Sequence, residues 1–278
     1  MLDFRKTLEA CRNKMQEGVG PSPEGFPEKC VKEWERLLSY APLIDESIQM
    51  IEVRDKAWLL VKNFEADSKQ RDPKSKNFKI EEINNFEIYG VELIFPAARN
   101  LLLSAYMSSC WAIYDKLSHV CGRMSGTSSL ANNDDINPKL FQGLMNKQKG
   151  SGFAVPEVLS ECYEPSLQFS YAVRNLLVHE GWPSGEKAFF QGDNVADGFT
   201  LTDAFLEWFE PKAKKKDFDS IEYSKKSCLL SDTDWKSKDL LKILETFNAE
   251  NDQMFAALTK WCVMSTIGQM QCFLERYQ

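Results

Sequence analysis

Residues 96–124 read PAARNLLLSAYMSSCWAIYDKLSHVCGRM and carry a strong helical pattern of apolar side chains. Pro96 suits the first turn of a helix, and Gly122 lies close to its end. Polar side chains interrupt the apolar residues between Leu101 and Val120, at Ser104, Ser108, Asp115, Lys116 and Ser118. The stretch is therefore too polar for a membrane span and predicts a long helix inside a soluble protein.

The same periodicity predicts helices on both sides of this stretch. They cover about residues 2–17, 28–40, 43–66, 139–147, 155–162, 165–180 and 235–277. The last helix is expected to bend near 248–252, and Ser231 with Asp234 can cap its start. A mainly helical protein follows from these lengths.

A polar run broken by proline, DSKQRDPKSKN at 67–77, predicts a loop or linker. We place a boundary there, between an N-terminal helical region at 1–78 and a helical bundle at 79–278. Residues 79–93 fit either a helix or an extended segment. Aromatic and β-branched residues predict short strands in KAFFQG, GFTLT and IEYS, which together form a small β-hairpin insert at about 187–223.

Charge and composition exclude some classes of protein. The 278 residues carry a net charge of −7, which argues against a surface that coats nucleic acid broadly, although a small basic site stays compatible. The N-terminal sequence MLDFRKTLEACRNKMQ lacks the apolar core of a signal peptide, so we expect a cytoplasmic protein.

Neither a metal nor a cofactor is expected. The eight cysteines show no C-x-x-C spacing, and the two histidines lie far apart in the sequence. Several cysteines fall in apolar helical patterns, where a reduced thiol packs as a small hydrophobic group. Glycine-rich phosphate loops and the common hydrolase motifs are missing from the sequence.

The helix at 165–180 has two different sides when projected at about 100° per residue. The side predicted to face the core holds Phe169, Ala172, Val173, Leu176 and Leu177. The opposite side holds Gln168, Tyr171, Arg174, Asn175, Val178 and His179. Such a mixture of aromatic, amide, guanidinium and imidazole groups is typical of a half-buried groove or subunit interface. The alternative is an ordinary polar side on which His179 stabilises the helix C-terminus.

The sequence Arg174-Asn175-Leu176-Leu177-Val178-His179 resembles the R-x(4–6)-H motif of HEPN domains (higher eukaryotes and prokaryotes nucleotide-binding), in which asparagine often follows the arginine. The resemblance covers about residues 95–278. It implies an HEPN-like helical bundle with the motif near the end of its third core helix. Helices at 96–122 and 235–277 would supply the earlier and the last core helix.

Many HEPN proteins are metal-independent ribonucleases of prokaryotic defence and toxin systems, and they act as homodimers. The resemblance implies that His179 is the acid and base, that Arg174 binds phosphate and that Asn175 orients the site. It also implies RNA as substrate and an antitoxin or regulatory protein as a partner. Some relatives carry a regulatory tyrosine two residues after the histidine, where this chain has Gly181. A catalytically silent HEPN module that binds a partner protein or nucleotide is the alternative, and a scaffold with an accidental motif is a third.

Other residues are weaker candidates for a substrate or interface contact. Tyr171 and Val178 share the motif side of the helix. His119 follows Asp115 by four residues, so it is either a second catalytic group or a surface histidine. Lys214 and Lys215 lie in the run PKAKKKD, which is either a phosphate-attracting rim or a solvated loop.

Overall fold

The computed structural model of the chain describes residues 3–17, 31, 35, 38–71, 85–124, 164–179, 199–207 and 238–277. The elements are α1 (Phe4–Glu17), α2 (Ala41–Gln70), β1 (Asn85–Ile88), β2 (Val91–Ile94), α3 (Phe95–Met124), α4 (Glu164–His179) and α5 (Leu240–Tyr277). The mainly α fold with a small β-hairpin is confirmed. No helix within these ranges is long and apolar enough to cross a membrane.

The chain divides into two compact units. Unit 1 takes its described residues from 1–52, 111–163 and 250–278, and unit 2 from 53–110 and 164–249. Helices α2, α3 and α5 therefore each contribute residues to both units. The predicted boundary after residue 78 falls at residues that the structure does not describe, and it stays a prediction. Both units include residues from either side of that position.

Helix α2 begins two residues before the predicted range 43–66 and ends four residues after it. Two ion pairs at helical spacing stabilise this last turn. Lys69 Nζ lies 2.9 Å from Glu65 Oε1, and Arg71 Nη2 lies 3.0 Å from Asp67 Oδ2. The polar run that we interpreted as a linker therefore starts with a helical turn, because polar residues at this spacing support a helix as well as a loop.

Helix α5 begins at Leu240, five residues later than predicted. The preceding residues form a short antiparallel bridge instead, in which Leu201 N donates to Lys238 O at 2.6 Å and Leu240 N donates to Phe199 O at 3.2 Å. Asp239 Oδ1 caps the helix by accepting from Lys242 N at 3.1 Å.

Several predictions of the sequence lie outside the described residues. They include the cap at Ser231 and Asp234, the helices at 139–147 and 155–162, most of the helix at 28–40 and most of the insert at 187–223. Within that insert, Phe199 to Leu201 form the bridge to α5, and a short helical segment follows at 203–207.

The hairpin lies at 85–94, within and just after the segment that the sequence left ambiguous between helix and strand. Strands β1 and β2 pair in antiparallel register, with Ile88 opposite Val91 across a two-residue turn. Both turn residues have positive φ, 53° at Tyr89 and 77° at Gly90, as a type I′ turn requires.

The hairpin packs into the core of unit 2 through one aromatic side chain. The Phe86 ring centroid lies 4.5 Å from that of Phe64 and 5.8 Å from that of Phe95. Phe199 joins the same cluster, with its centroid 5.9 Å from that of Phe64. These buried rings connect α2, the hairpin, the start of α3 and the bridge to α5 within one hydrophobic core.

Unit 1 has a core of its own. Tyr114 of α3 stacks on Phe255 of α5 with ring centroids 4.6 Å apart, and its hydroxyl donates to Asp252 Oδ1 at 2.8 Å. Leu8 and Met15 of α1 are completely buried. Arg12 of α1 also donates to Asp45 of α2 at 2.8 Å.

Four cysteines, Cys11, Cys110, Cys121 and Cys262, are buried and form no disulfide, which confirms that they pack as small reduced side chains. Burial raises the pKa of the Cys11 thiol from its usual 9.0 to about 12. The pKa of Cys262 is also raised, first by its hydrogen bond with Cys121 and then by burial. Both thiols therefore stay protonated at neutral pH, and they are poor nucleophiles in the folded protein.

Replacing the residue at the left-handed turn position should stabilise the hairpin. We expect Tyr89→Asn to raise the free energy of unfolding by about 0.5–1 kcal/mol, because asparagine tolerates positive φ better than tyrosine. Gly90→Ala should have the opposite effect and lower the free energy of unfolding by about 1 kcal/mol. Because a Cβ at this position meets no atom within 4 Å, this cost would come from the backbone conformation alone. Urea unfolding measures both, and a Tyr89→Asn variant less stable than the native protein would contradict the assignment of strain.

Candidate functional site

The candidate site lies on α4. One side of this helix faces the core of unit 2, where Phe169, Val173 and Leu176 are buried as the projection predicted. Leu177 is only half-buried, whereas three residues outside the projected core side are also buried: Ser166, Leu167 and Ser170. The core-facing side is therefore wider than predicted, and Ser170 has a hydrogen-bond partner inside the core.

The other side of α4 carries Tyr171, Arg174 and Asn175, all half-buried. Arg174 Nη1 donates to Asn175 Oδ1 at 2.8 Å, so these neighbouring side chains are joined directly. A guanidinium has five N–H donors in one plane, which makes it suited to phosphate oxygens. The bond to Asn175 restricts the orientation of that plane beside the helix.

The remaining motif residues stand at the end of the same helix. His179 is the last residue of α4, consistent with the helix ending before Gly181, and Val178 precedes it. The side chains of these two residues are outside the described part of the chain. Their roles, and the catalytic roles of Arg174 and Asn175, stay predictions.

The weaker candidates are placed as follows. His119 is half-buried in unit 1, with its Nε2 3.7 Å from Asp115 Oδ1 one turn earlier, so the expected pair on one helix face is present. Arg174 belongs to unit 2. Lys214 and Lys215 lie outside the described residues, and their role stays a prediction.

The structure adds a buried polar contact that the sequence analysis missed. Asn248 of α5 donates through Nδ2 to the hydroxyl of Tyr106 in α3 at 2.7 Å. Its Oδ1 accepts from Ser170 Oγ of α4 at 3.3 Å. Both Asn248 and Tyr106 are 4% exposed, and Ser170 is fully buried. One side-chain amide therefore joins three helices of unit 2, one turn before Arg174 on α4.

Aromatic rings surround this contact. Phe169 lies edge-on to Phe247 and to Phe205, with centroids 5.0 Å and 6.0 Å apart. Trp58 of α2 packs on Tyr106 at 4.4 Å. Burial raises the pKa of Tyr106 well above its usual value, so its hydroxyl stays neutral. This neutral hydroxyl accepts the hydrogen bond from Asn248. Apolar packing and directional hydrogen bonds thus hold α4 in the same place.

A signal for this contact is present in the sequence. The run NAEND at 248–252 places polar residues inside an apolar helix, and we interpreted it as a bend. The helix is continuous through this run, and Asn248, Glu250 and Asn251 are buried. Polar residues in the middle of a long apolar helix are thus also the signal of a buried polar contact, and the predicted bend stays a prediction.

Within the described ranges, no group of three or more His, Cys, Asp or Glu side chains could hold a metal ion. Comparison of the chain with protein-family models, with curated proteins and with solved structures found no match.

Removing the amide that joins the three helices should destabilise unit 2. We expect Asn248→Ala to cost about 2–4 kcal/mol, because it removes the donor to Tyr106 and the acceptor of Ser170 in a buried environment. Ser109→Ala removes a hydroxyl bond on the exposed part of α3 and should change stability by less than about 0.5 kcal/mol. Chemical unfolding monitored by circular dichroism measures the stability of both variants. Equal losses of unfolding free energy would show that the Asn248 contact contributes no more to stability than an exposed hydrogen bond.

Proposed function

We propose that the protein is a metal-independent endoribonuclease whose catalytic groups lie on the half-buried side of α4. The observation that supports this most directly is the bond between Arg174 and Asn175, which fixes a guanidinium beside a helix whose other side is held in the core. A fixed and half-buried arginine binds an oxyanion at lower entropic cost than a mobile surface arginine. The resemblance of residues 174–179 to the HEPN motif supports the same assignment.

The proposed chemistry needs no metal because RNA carries its own nucleophile. His179, acting as a base, would take the proton of the 2′-OH, whose oxygen attacks the adjacent phosphorus. The 5′-oxygen of the next nucleotide leaves and receives a proton from the imidazolium. Arg174 would stabilise the negative charge on the pentavalent phosphorus, and Asn175 would hold Arg174 in orientation. The products are a 2′,3′-cyclic phosphate and a 5′-hydroxyl.

A cytoplasmic role in prokaryotic defence or as a toxin follows from this proposal, since intracellular RNA would be the target. An antitoxin or regulatory protein would then restrain the activity. The competing function is a catalytically silent module that binds a partner protein or nucleotide with the same residues.

Alanine variants test the enzyme directly. We expect His179→Ala to slow RNA cleavage by about 10²–10⁴-fold and Arg174→Ala by about 10²–10³-fold, because each removes one catalytic group. Arg174→Lys keeps the charge but loses the planar fork, so it should restore only part of the activity. Arg12→Ala, in unit 1, removes an ion pair with Asp45 and serves as the matched arginine control with full activity.

Two further conditions sharpen that assay. Cleavage should persist in EDTA, and it should stop when the scissile nucleotide is a deoxynucleotide without the attacking hydroxyl. Wild-type protein that leaves all RNA substrates intact would favour the silent module. If the native protein cleaves RNA and both alanine variants cleave it equally well, the catalytic residues lie elsewhere.

The proposed enzyme is a homodimer that pairs two α4 helices. We expect the protein to sediment as a dimer at about tens of micromolar. Val178→Asp should convert it to a monomer, because a charge at the centre of an interface is costly. Leu59→Asp introduces the same charge at an exposed position of α2 and should leave the dimer intact. A native monomer at these concentrations, or equal effects of both variants, argues against pairing through α4.

A further inference from the structure

The two edges of the β1–β2 hairpin differ. Ile88 and Val91 flank the two-residue turn, so they form a pair that exchanges backbone hydrogen bonds. The pairing alternates along the ladder. The N–H and C=O groups of Asn85 therefore point to the outer edge of β1, and those of Glu92 point to the outer edge of β2.

A side chain covers the edge of β1. Arg71 Nη1 donates to the backbone oxygen of Asn85 at 2.7 Å, and its guanidinium lies 4.2 Å from the ring centroid of Phe86. In the described part of the chain, the outward backbone groups of Glu92 have no such partner. Among the described residues, a side chain therefore occupies the β1 edge at Asn85, whereas none occupies the β2 edge.

The open edge exposes large apolar side chains. Val91 is 56% exposed, Ile94 is 62% exposed and Tyr89 at the turn is 87% exposed. Edge strands of soluble proteins are normally protected by charges, proline or a covering element, because an open apolar edge is a template for a further strand. Val91 and Ile94 give β2 none of this protection.

The charges on the outward face of the hairpin select the kind of strand. Glu87 and Glu92 lie directly opposite each other, although like charges at opposed positions are unfavourable. Asn85 Nδ2 donates to Glu92 Oε1 at 2.8 Å and so holds this carboxylate on the outward face. The hairpin at 85–94 contains no lysine or arginine that would neutralise the pair. A cationic side chain on an added strand would do so.

Tyr89 supports the same interpretation. A tyrosine at φ 53° is strained, and asparagine or glycine would fill this turn position at lower cost. The ring is nevertheless placed at the tip of the hairpin, where it contributes little to the core. A contact with a partner accounts for the strained and exposed aromatic residue.

We propose that the outer edge of β2 binds an extended basic segment of another protein, which adds to the hairpin as a third strand. Backbone hydrogen bonds to Glu92 and Ile94 supply affinity, as in other cases of strand addition. Specificity comes from a lysine or arginine opposite Glu92, with apolar residues beside it opposite Val91 and Leu93. The surface does not depend on the ribonuclease activity proposed for α4.

Two designed peptides test the charge requirement on the full chain. Both are about eight residues long and fluorescently labelled, one alternating valine with lysine and the other valine with glutamate. In anisotropy titrations up to about 1 mM, the lysine peptide should bind at least roughly tenfold more tightly than the glutamate peptide. Glu92→Lys should reverse that preference. Glu17→Lys changes the net charge equally at an exposed position of α1 and should leave the preference unchanged.

Amide hydrogen exchange tests the geometry. The lysine peptide should protect the amides of Glu92 and Ile94, which point outward from β2, and should leave those of Asn85 and Glu87, which point outward from β1, unchanged.

Three outcomes would overturn the proposal. The first is equal binding of both peptides. The second is that Glu17→Lys reduces the preference for the lysine peptide as much as Glu92→Lys does, which would show that the preference comes from the overall charge of the protein. The third is concentration-dependent protection of Glu92 in the protein alone, which would assign the edge to a second copy of this chain.

Discussion

The orientation of α4 in unit 2 depends on the side-chain amide of Asn248. Apolar packing turns one side of a helix toward the core, but hydrophobic contacts are less directional than hydrogen bonds. A buried amide with a donor to one helix and an acceptor for another has far less freedom, since each unmade bond costs free energy. Rotating α4 by one residue would remove Ser170 from this contact and change the exposure of Arg174. The buried polar group therefore adds a directional constraint to the apolar residues that already turn one side of α4 toward the core.

The aromatic cluster of unit 2 serves a different purpose. Phe64, Phe86, Phe95 and Phe199 come from four separate segments, and their packing supplies cohesion without setting a fine register. The hairpin takes part through Phe86 alone, whereas most of its other side chains stay partly or fully exposed. A short two-stranded sheet is marginal by itself, so its presence depends on this one buried ring and on the arginine that lies over it.

Features with a local cause could be predicted from the sequence. The helix beginning near Pro96 follows from periodicity and end signals, and the half-buried side of α4 follows from the projection. Features that depend on distant residues could not. The start of α5 is set by a bridge to Thr200, and the contact of Asn248 joins it to Tyr106, 142 positions away. The hairpin was ambiguous because four-residue strands are too short to show a period that differs from that of a helix.

One covered edge and one open edge give the hairpin a direction of growth. Arg71 occupies the Asn85 carbonyl that a strand would need on the β1 side, so among the described residues β2 offers the less obstructed edge for a further strand. A sheet of this kind ends after a limited addition and does not propagate through both edges, as a fibre requires. The exposed apolar edge thus carries less risk of aggregation than its side chains alone would indicate. The protection comes from a single guanidinium at the end of a neighbouring helix.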